Sequence, residues 1–232
     1  MDALLPFPGF REEAFAFLRD LRQHNERDWF KPRKATYDDE LLWPARCLVS
    51  ELAEALPRAG VPLTGSPKKS PFRIYRDTRF SKNKDPYKTH LGLVLSRDGT
   101  KKAPGALYVH VEPGHCFLAA GFWRPESPLL RRFRERMVTD PSGWRSAVAE
   151  AEGAGLELGT GPSDTLKRMP RGFESYADDE IAPYLKWKGL VASRPIADDR
   201  LKTPAFTADV VAFARDAMSL LAWGWAVVDA AG

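Results

Sequence analysis

Helical apolar patterns at both ends of the chain, enclosing a central run of short alternating segments, predict an α+β fold: a small antiparallel sheet flanked by N-terminal and C-terminal helices. Three observations carry this expectation. Apolar residues recur at helical spacing before residue 57 and after residue 127, period-two segments cluster between residues 72 and 122, and no strand–helix–strand alternation occurs. With 232 residues, 44% hydrophobic and 28% charged, the chain can bury a real core, which excludes disordered and collagen-like classes. A single α+β domain is expected over 1–232, with helices over 1–57, the sheet over 72–122 and a mainly helical part over 127–228.

Taken in order, Ala14, Phe17, Leu18 and Leu21 share one face of a helix over Arg11 to Gln23, which His24-Asn25 stops. After the turn Asn25 to Phe30, the period continues from Pro32 to Leu56 through Tyr37, Leu41, Leu48 and Leu52. Pro44 should kink or divide that helix, because it lacks an N–H and crowds the preceding turn. Pro57 to Pro71 reads as a loop. Phe72 to Arg76, Leu91 to Leu95, Ala106 to Glu112 and Cys116 to Phe122 read as strands, with Asp98-Gly99 and Pro113-Gly114 as turns. Ser127-Pro128 and Asp140-Pro141 each set a cap and a first-turn proline for a helix, the second reaching about Glu152. Gly153 to Pro162 is a loop, Asp178 to Lys186 helical, and Gly189 to Arg194 a further strand. Thr207 opens a long terminal helix through Val211, Phe213, Ala214, Met218 and Leu221.

Cys47 and Cys116 have no CxxC spacing, which argues against a zinc ribbon or a disulfide framework and for reduced, buried thiols in the cytoplasm. Met1 to Pro6 has no basic start and its apolar stretch is interrupted by Pro6 and Pro8, so no signal peptide is expected. The longest uncharged run, Ala217 to Val228, is 12 residues. A membrane span needs about 18, so this run reads as a buried helix face. No GxGxxG, Walker or GxSxG motif occurs, and no cofactor is expected.

Charge gives the functional lead. The formal net charge is only +4, yet residues 68–90 hold eight basic and two acidic residues, so the remainder carries a net of −2. If Phe72 to Phe80 is extended, Phe72, Ile74, Arg76, Thr78 and Phe80 share one face, and Arg73, Tyr75, Asp77 and Arg79 the other. Asp77 between arginines would orient their guanidiniums for bidentate binding of phosphate or carboxylate. Lys82, Lys84 and Lys88 would add point charges around the same mouth.

The string RIYRDTRFSKNKDPYKTH, with FLRDLRQHNERDWF before it and APGALYVHVEPG, LKRMPRGF and YLKWKG after it, resembles a family of uncharacterised bacterial and fungal proteins, a domain of unknown function. The resemblance runs from about Phe7 to Trp225 and implies a single α+β domain, with no established activity, cofactor or catalytic residue. Relatives usually carry Asn-Asn before the Arg-x-Trp-Phe element; this chain has His24-Asn25, which weakens any role for the first amide.

The expected function is binding of a small anionic ligand by Arg73, Arg76, Arg79, Lys82, Lys84 and Lys88, with Asp77, Tyr87, His90 and His110 as acid–base candidates. Alternation on the Ala106 to Glu112 strand puts Tyr108, His110 and Glu112 on one face, where a carboxylate could fix a histidine tautomer. The competing reading is structural: an Arg–Asp network pinning the sheet to the first helices through Glu26, Asp28 or Asp38-Asp39-Glu40. His110, Glu112 and His115, with Asp77 as a fourth ligand, lack the usual metal spacings, so no metal is assigned. Nucleic-acid binding by the 68–90 segment, with Tyr75, Phe80 and Tyr87 as stacking groups, is the alternative. The acidic remainder counts against a long polyanion. A third reading is a non-catalytic interaction module, with Trp223-Gly224-Trp225 as a homodimer edge and no membrane partner.

Overall fold

The computed structural model describes residues 4–159 and 164–230. Met1 to Ala3, and residues 160–162 of the expected Gly153 to Pro162 loop, lie outside the described residues. In chain order the helices are α1 (Glu12–Gln23), α2 (Arg27–Phe30), α3 (Lys34–Tyr37), α4 (Trp43–Arg58), α5 (Ser127–Thr139), α6 (Pro141–Gly153), α7 (Ala182–Leu185), α8 (Asp198–Leu201), α9 (Phe206–Asp216) and α10 (Met218–Asp229). The strands are β1 (Leu91–Ser96), β2 (Ala106–Val111), β3 (Phe117–Phe122), β4 (Glu157–Leu158) and β5 (Leu190–Pro195). They pair in the order β1-β2-β3-β5-β4, an antiparallel sheet in an α+β architecture. Among the described residues no single helix is long and apolar enough to cross a membrane.

The chain divides into two compact units. The first comprises residues up to Ala103, Tyr108–Leu118 and Pro195–Ala212. Here α1 buries Ala14, Phe15, Phe17, Leu18 and Leu21, and Phe17 packs against Trp29, Phe30 and Tyr37. Ahead of α1, Phe7 meets Phe10 edge-on at 5.4 Å and Phe206 at 6.3 Å. Gly9 is required at its position: φ is +92°, and a Cβ would collide with the Lys202 carbonyl.

The expected helix over Pro32 to Leu56 is divided just before Pro44 by a π-helical turn, Asp38–Leu42. Proline cannot donate to the carbonyl four residues back and its ring clashes there, and the wider turn relieves both problems. Glu40 in this turn is buried and accepts from Arg11 Nε at 2.8 Å. Beyond it, α4 buries Cys47, Leu48, Val49, Leu52 and Leu56.

Phe72 to Arg76 is not a regular strand. It belongs to an irregular segment along the outer edge of β1, with bridges Thr64↔Ser96 and Pro71↔Leu93 and the bond Phe72 N–H to Gly92 O at 2.8 Å. The Pro71↔Leu93 bridge is closed by its neighbours, Phe72 N–H to Gly92 O and Val94 N–H to Ser70 O, so the missing Pro71 N–H faces away from β1 and the strand's edge is covered. The chain then makes a short hairpin stem through Tyr75↔Tyr87, Arg76 N–H to Pro86 O at 2.8 Å and Lys88 N–H to Ile74 O at 2.7 Å. Residues 77–85 form its tip. Ile74 is buried while Phe80 is 96% exposed, so the expected shared face is broken.

In the second unit, Pro104–Leu107, Ala119–Arg194 and residues from Phe213 onward, the core is aromatic. Phe122 meets Phe133 at 4.9 Å, Trp144 meets Trp223 at 4.8 Å, and Tyr184 lies 5.4 Å from Trp144. Gly224 is needed on α10 because any Cβ would enter the Phe122 ring. Trp225 is 5% exposed, with its indole N–H on the Pro104 carbonyl at 3.1 Å, so it forms no surface edge.

Asp140 caps α6 by accepting from Gly143 N–H at 3.0 Å, whereas α5 has no side-chain cap. The helix expected over Asp178 to Lys186 shrinks to α7, because Asp179 Oδ1 takes the Ile181 N–H at 2.9 Å and turns the chain first. The long terminal helix is two helices, broken at Ala217, where ψ is 0°. The two-residue β4 pairs antiparallel with β5.

Candidate functional site

Alternation along β2 sends Leu107, Val109 and Val111 into the core and Tyr108, His110 and Glu112 to the other side. His110, only 7% exposed, is bonded at both ring nitrogens, with Nδ1 2.9 Å from Tyr108 Oη and Nε2 3.0 Å from Glu112 Oε2. An ionised carboxylate only accepts, so Nε2–H donates to Glu112 and Nδ1 accepts from the Tyr108 hydroxyl. Arg22 donates to Glu112 Oε1 at 2.7 Å, and the exposed His115 ring sits 3.3 Å from Oε2. Phe117 stacks on His110 at 4.5 Å, and the His90 ring packs against His110 at a tilt, with centroids also 4.5 Å apart.

Burial shapes the electrostatics. It lowers His90 to about 4, reinforced by His110, Lys88 and Arg76 and opposed by Glu112. Burial also lowers His110 against the pull of Glu112. Glu112 is pushed up by burial, yet hydrogen bonds from His110 and His115 outweigh this and hold it below the usual carboxylate range. Both cysteines are buried and free. Burial drives Cys116 up to about 12 and raises Cys47, so neither thiol is poised to ionise.

The basic residues separate into two groups. At the hairpin base, Lys88 Nζ donates to Arg73 O at 2.8 Å and Lys101 Nζ to Pro71 O at 2.7 Å. Both ammonium groups lie over the Phe72 ring, at 5.3 and 4.3 Å. Burial lowers Lys88, with Arg73 adding to the effect; burial, then Lys88 and Arg73, lower Lys101. Arg76, half-buried, is 3.7 Å from Asp85.

At the tip, Asp77 accepts from Arg79 Nε at 3.0 Å and Nη2 at 2.7 Å. Lys84 reaches the Thr78 carbonyl at 3.0 Å, and Lys82 is exposed. Arg79 and Lys84 are therefore engaged at the tip and Lys82 is open to solvent there, apart from the base group. Among the described residues Asp77 pairs with Arg79 rather than with a row of arginines and bonds no histidine.

Tyr87 is buried, with its ring stacked on Phe30 at 4.2 Å. The Asn25 amide clamps its backbone, donating to Tyr87 O and accepting from Tyr87 N–H, both at 3.0 Å. That clamp and the Phe30 stacking tie the hairpin to the first helices, and among the described residues no ion pair of Arg73, Arg76 or Arg79 with Glu26, Asp28, Asp38, Asp39 or Glu40 does so. Asn25 was legible as a helix stop and as the second position of the relatives' Asn-Asn, but not as a partner of Tyr87, and Lys101 lies outside the 68–90 charge cluster. The turn signal Asp98-Gly99, which returns the chain beside β1, is the one clue to Lys101.

A family model described as conserved hypothetical protein (DUF2461) matches residues 13–223. No curated protein and no solved structure matches the chain. With nearly its whole length covered, and with the segment that carries Asn25, Lys88, His90 and His110 inside the match, the chain belongs to this family of conserved hypothetical proteins.

Proposed function

We propose that the protein binds a small phosphate- or carboxylate-bearing ligand at the base of the 72–90 hairpin. The observation that carries this reading is the placing of Lys88 and Lys101 over the Phe72 ring, with Arg73 acting on both electrostatically and no carboxylate at ion-pair distance from the three among the described residues. Holding ammonium groups partly out of water without a counter-charge is unfavourable, and an anion placed between them offsets that cost. Each lysine spends one donor on a backbone carbonyl and keeps others for a ligand. His90, at about 4, stands beside them as a neutral hydrogen-bonding group near pH 7. Two buried free thiols support placing this activity in the cytoplasm.

The test is thermal stabilisation at low salt by inorganic phosphate, sugar phosphates, nucleotides and dicarboxylates. At least one should raise the melting temperature of the wild type and leave Lys88→Ala/Lys101→Ala unmoved. No shift with any anion would contradict the reading.

One observation favours a second reading, single-stranded nucleic acid at the tip. Phe80 is 96% and Tyr75 55% exposed, and the Arg79 guanidinium lies 5.9 Å from the Phe80 ring. Exposed rings among Lys82 and Lys84 suit base stacking beside phosphate neutralisation. Salt-dependent oligonucleotide binding that disappears in Phe80→Ala would support it. Absence of binding at low salt would remove it.

A further inference from the structure

We propose that His90, His110 and Glu112 bind one divalent transition-metal ion of the zinc class. One ligand atom from each lies within 4.8 Å of the other two, and His110 Nε2 is 3.0 Å from Glu112 Oε2. Donors bound to one tetrahedral ion at about 2.1 Å are roughly 3.4 Å apart, a separation that side-chain torsions can reach here without moving the strand. Two imidazoles and a carboxylate make the three-ligand set that leaves a fourth position open.

The surroundings already hold these groups as outer partners do. Ligation through His110 Nε2 moves the ring proton to Nδ1, which then donates to Tyr108 Oη, while Arg22 holds Oε1 of Glu112 and Oε2, which faces His110 and His115, turns to the ion. Phe117 fixes the His110 ring from one side. His90 supplies the independent sign: its ring nitrogens have no hydrogen-bond partner among the described residues, although the ring is half-buried against His110. An imidazole nitrogen without a protein partner has its lone pair free for a metal ion. Lys88 and Arg76 bear on His90 electrostatically, which makes an anion the fitting fourth ligand. An anionic fourth ligand rests on the anion reading; the metal site itself does not.

The full chain, freed of metal by chelation and dialysis, is titrated with Co(II) and then Zn(II). One equivalent of Co(II) should bind with the visible absorption of a four-coordinate ion and be displaced by one equivalent of Zn(II). His90→Ala and Glu112→Gln should abolish that step, and Tyr108→Phe, a positioning residue, should weaken it roughly tenfold. His115→Ala should retain it. His110→Ala is less useful, because removing a buried, doubly bonded ring can unfold the protein. Lys88→Ala/Lys101→Ala should keep the metal and lose phosphate, so the two readings fail separately. No saturable binding, or binding that survives both His90→Ala and Glu112→Gln, would overturn the proposal.

Discussion

At the base of the 72–90 hairpin, Lys88 and Lys101 are tethered to backbone carbonyls beside Phe72 and partly withdrawn from water. At the tip, Arg79 closes on Asp77 as an exposed bidentate pair, and Lys82 remains in solvent. The residue types are alike, and the difference lies in what answers the charge. At the tip a carboxylate or water already does so, leaving little free energy for a small ligand. At the base, backbone dipoles hold the cations in place without neutralising them, which is the condition that favours an incoming anion.

The largest effect separating the two ends should come from Lys88→Ala/Lys101→Ala, which is expected to eliminate stabilisation by phosphate in thermal melts. Lys82→Ala/Lys84→Ala should preserve it, and the reverse pattern would place the site at the tip. Next is Asn25→Ala, which strands the Tyr87 amide and carbonyl in a half-buried setting and should cost about 1–3 kcal/mol in denaturant unfolding. A tip that is still anchored after this change would mean that the stem bonds alone hold the hairpin.

A smaller effect is pH-dependent. His90 titrates near 4 in the folded protein against an ordinary value of 6.5, so the unfolded chain takes up its proton first. Stability should therefore fall as pH drops from about 6.5 toward 4. Glu112, also held below its ordinary range, adds a loss only at the lower end. His90→Gln should flatten the slope between pH 6.5 and 4.5, as read by unfolding at stepped pH. Smallest of all is Asp77→Asn, which breaks a pair open to solvent and should leave the melting temperature unchanged.

Local pattern carried much of the fold. Helix α1 follows from Ala14, Phe17, Leu18 and Leu21, and the polar face of β2 from the alternation through Tyr108, His110 and Glu112, because each depends on spacing within a few residues. Phe72 to Arg76 misled because alternation also suits a segment laid along a strand edge with isolated bridges. The break at Ala217 and the late start of α7 depend on backbone bonds that residue spacing does not reveal.

The candidate site was legible in its charge and not in its geometry. Arg73, Lys88, His90 and His110 were identifiable from type and density, but Lys101 joins them from the turn beyond β1. Asn25 reaches Tyr87 across 62 residues, a pairing that follows from tertiary packing. Aromatic packing, too, is decided at long range: Trp225 looks like an edge beside Gly224 and is instead bonded to Pro104.

The most direct test of the central claim is calorimetric titration of inorganic phosphate at low salt, pH 7.5, into the wild type, Lys88→Ala/Lys101→Ala and Lys82→Ala/Lys84→Ala. One saturable site is expected in the wild type and in the tip variant and none in the base variant. Equal binding by all three proteins, or loss only in the tip variant, would contradict it.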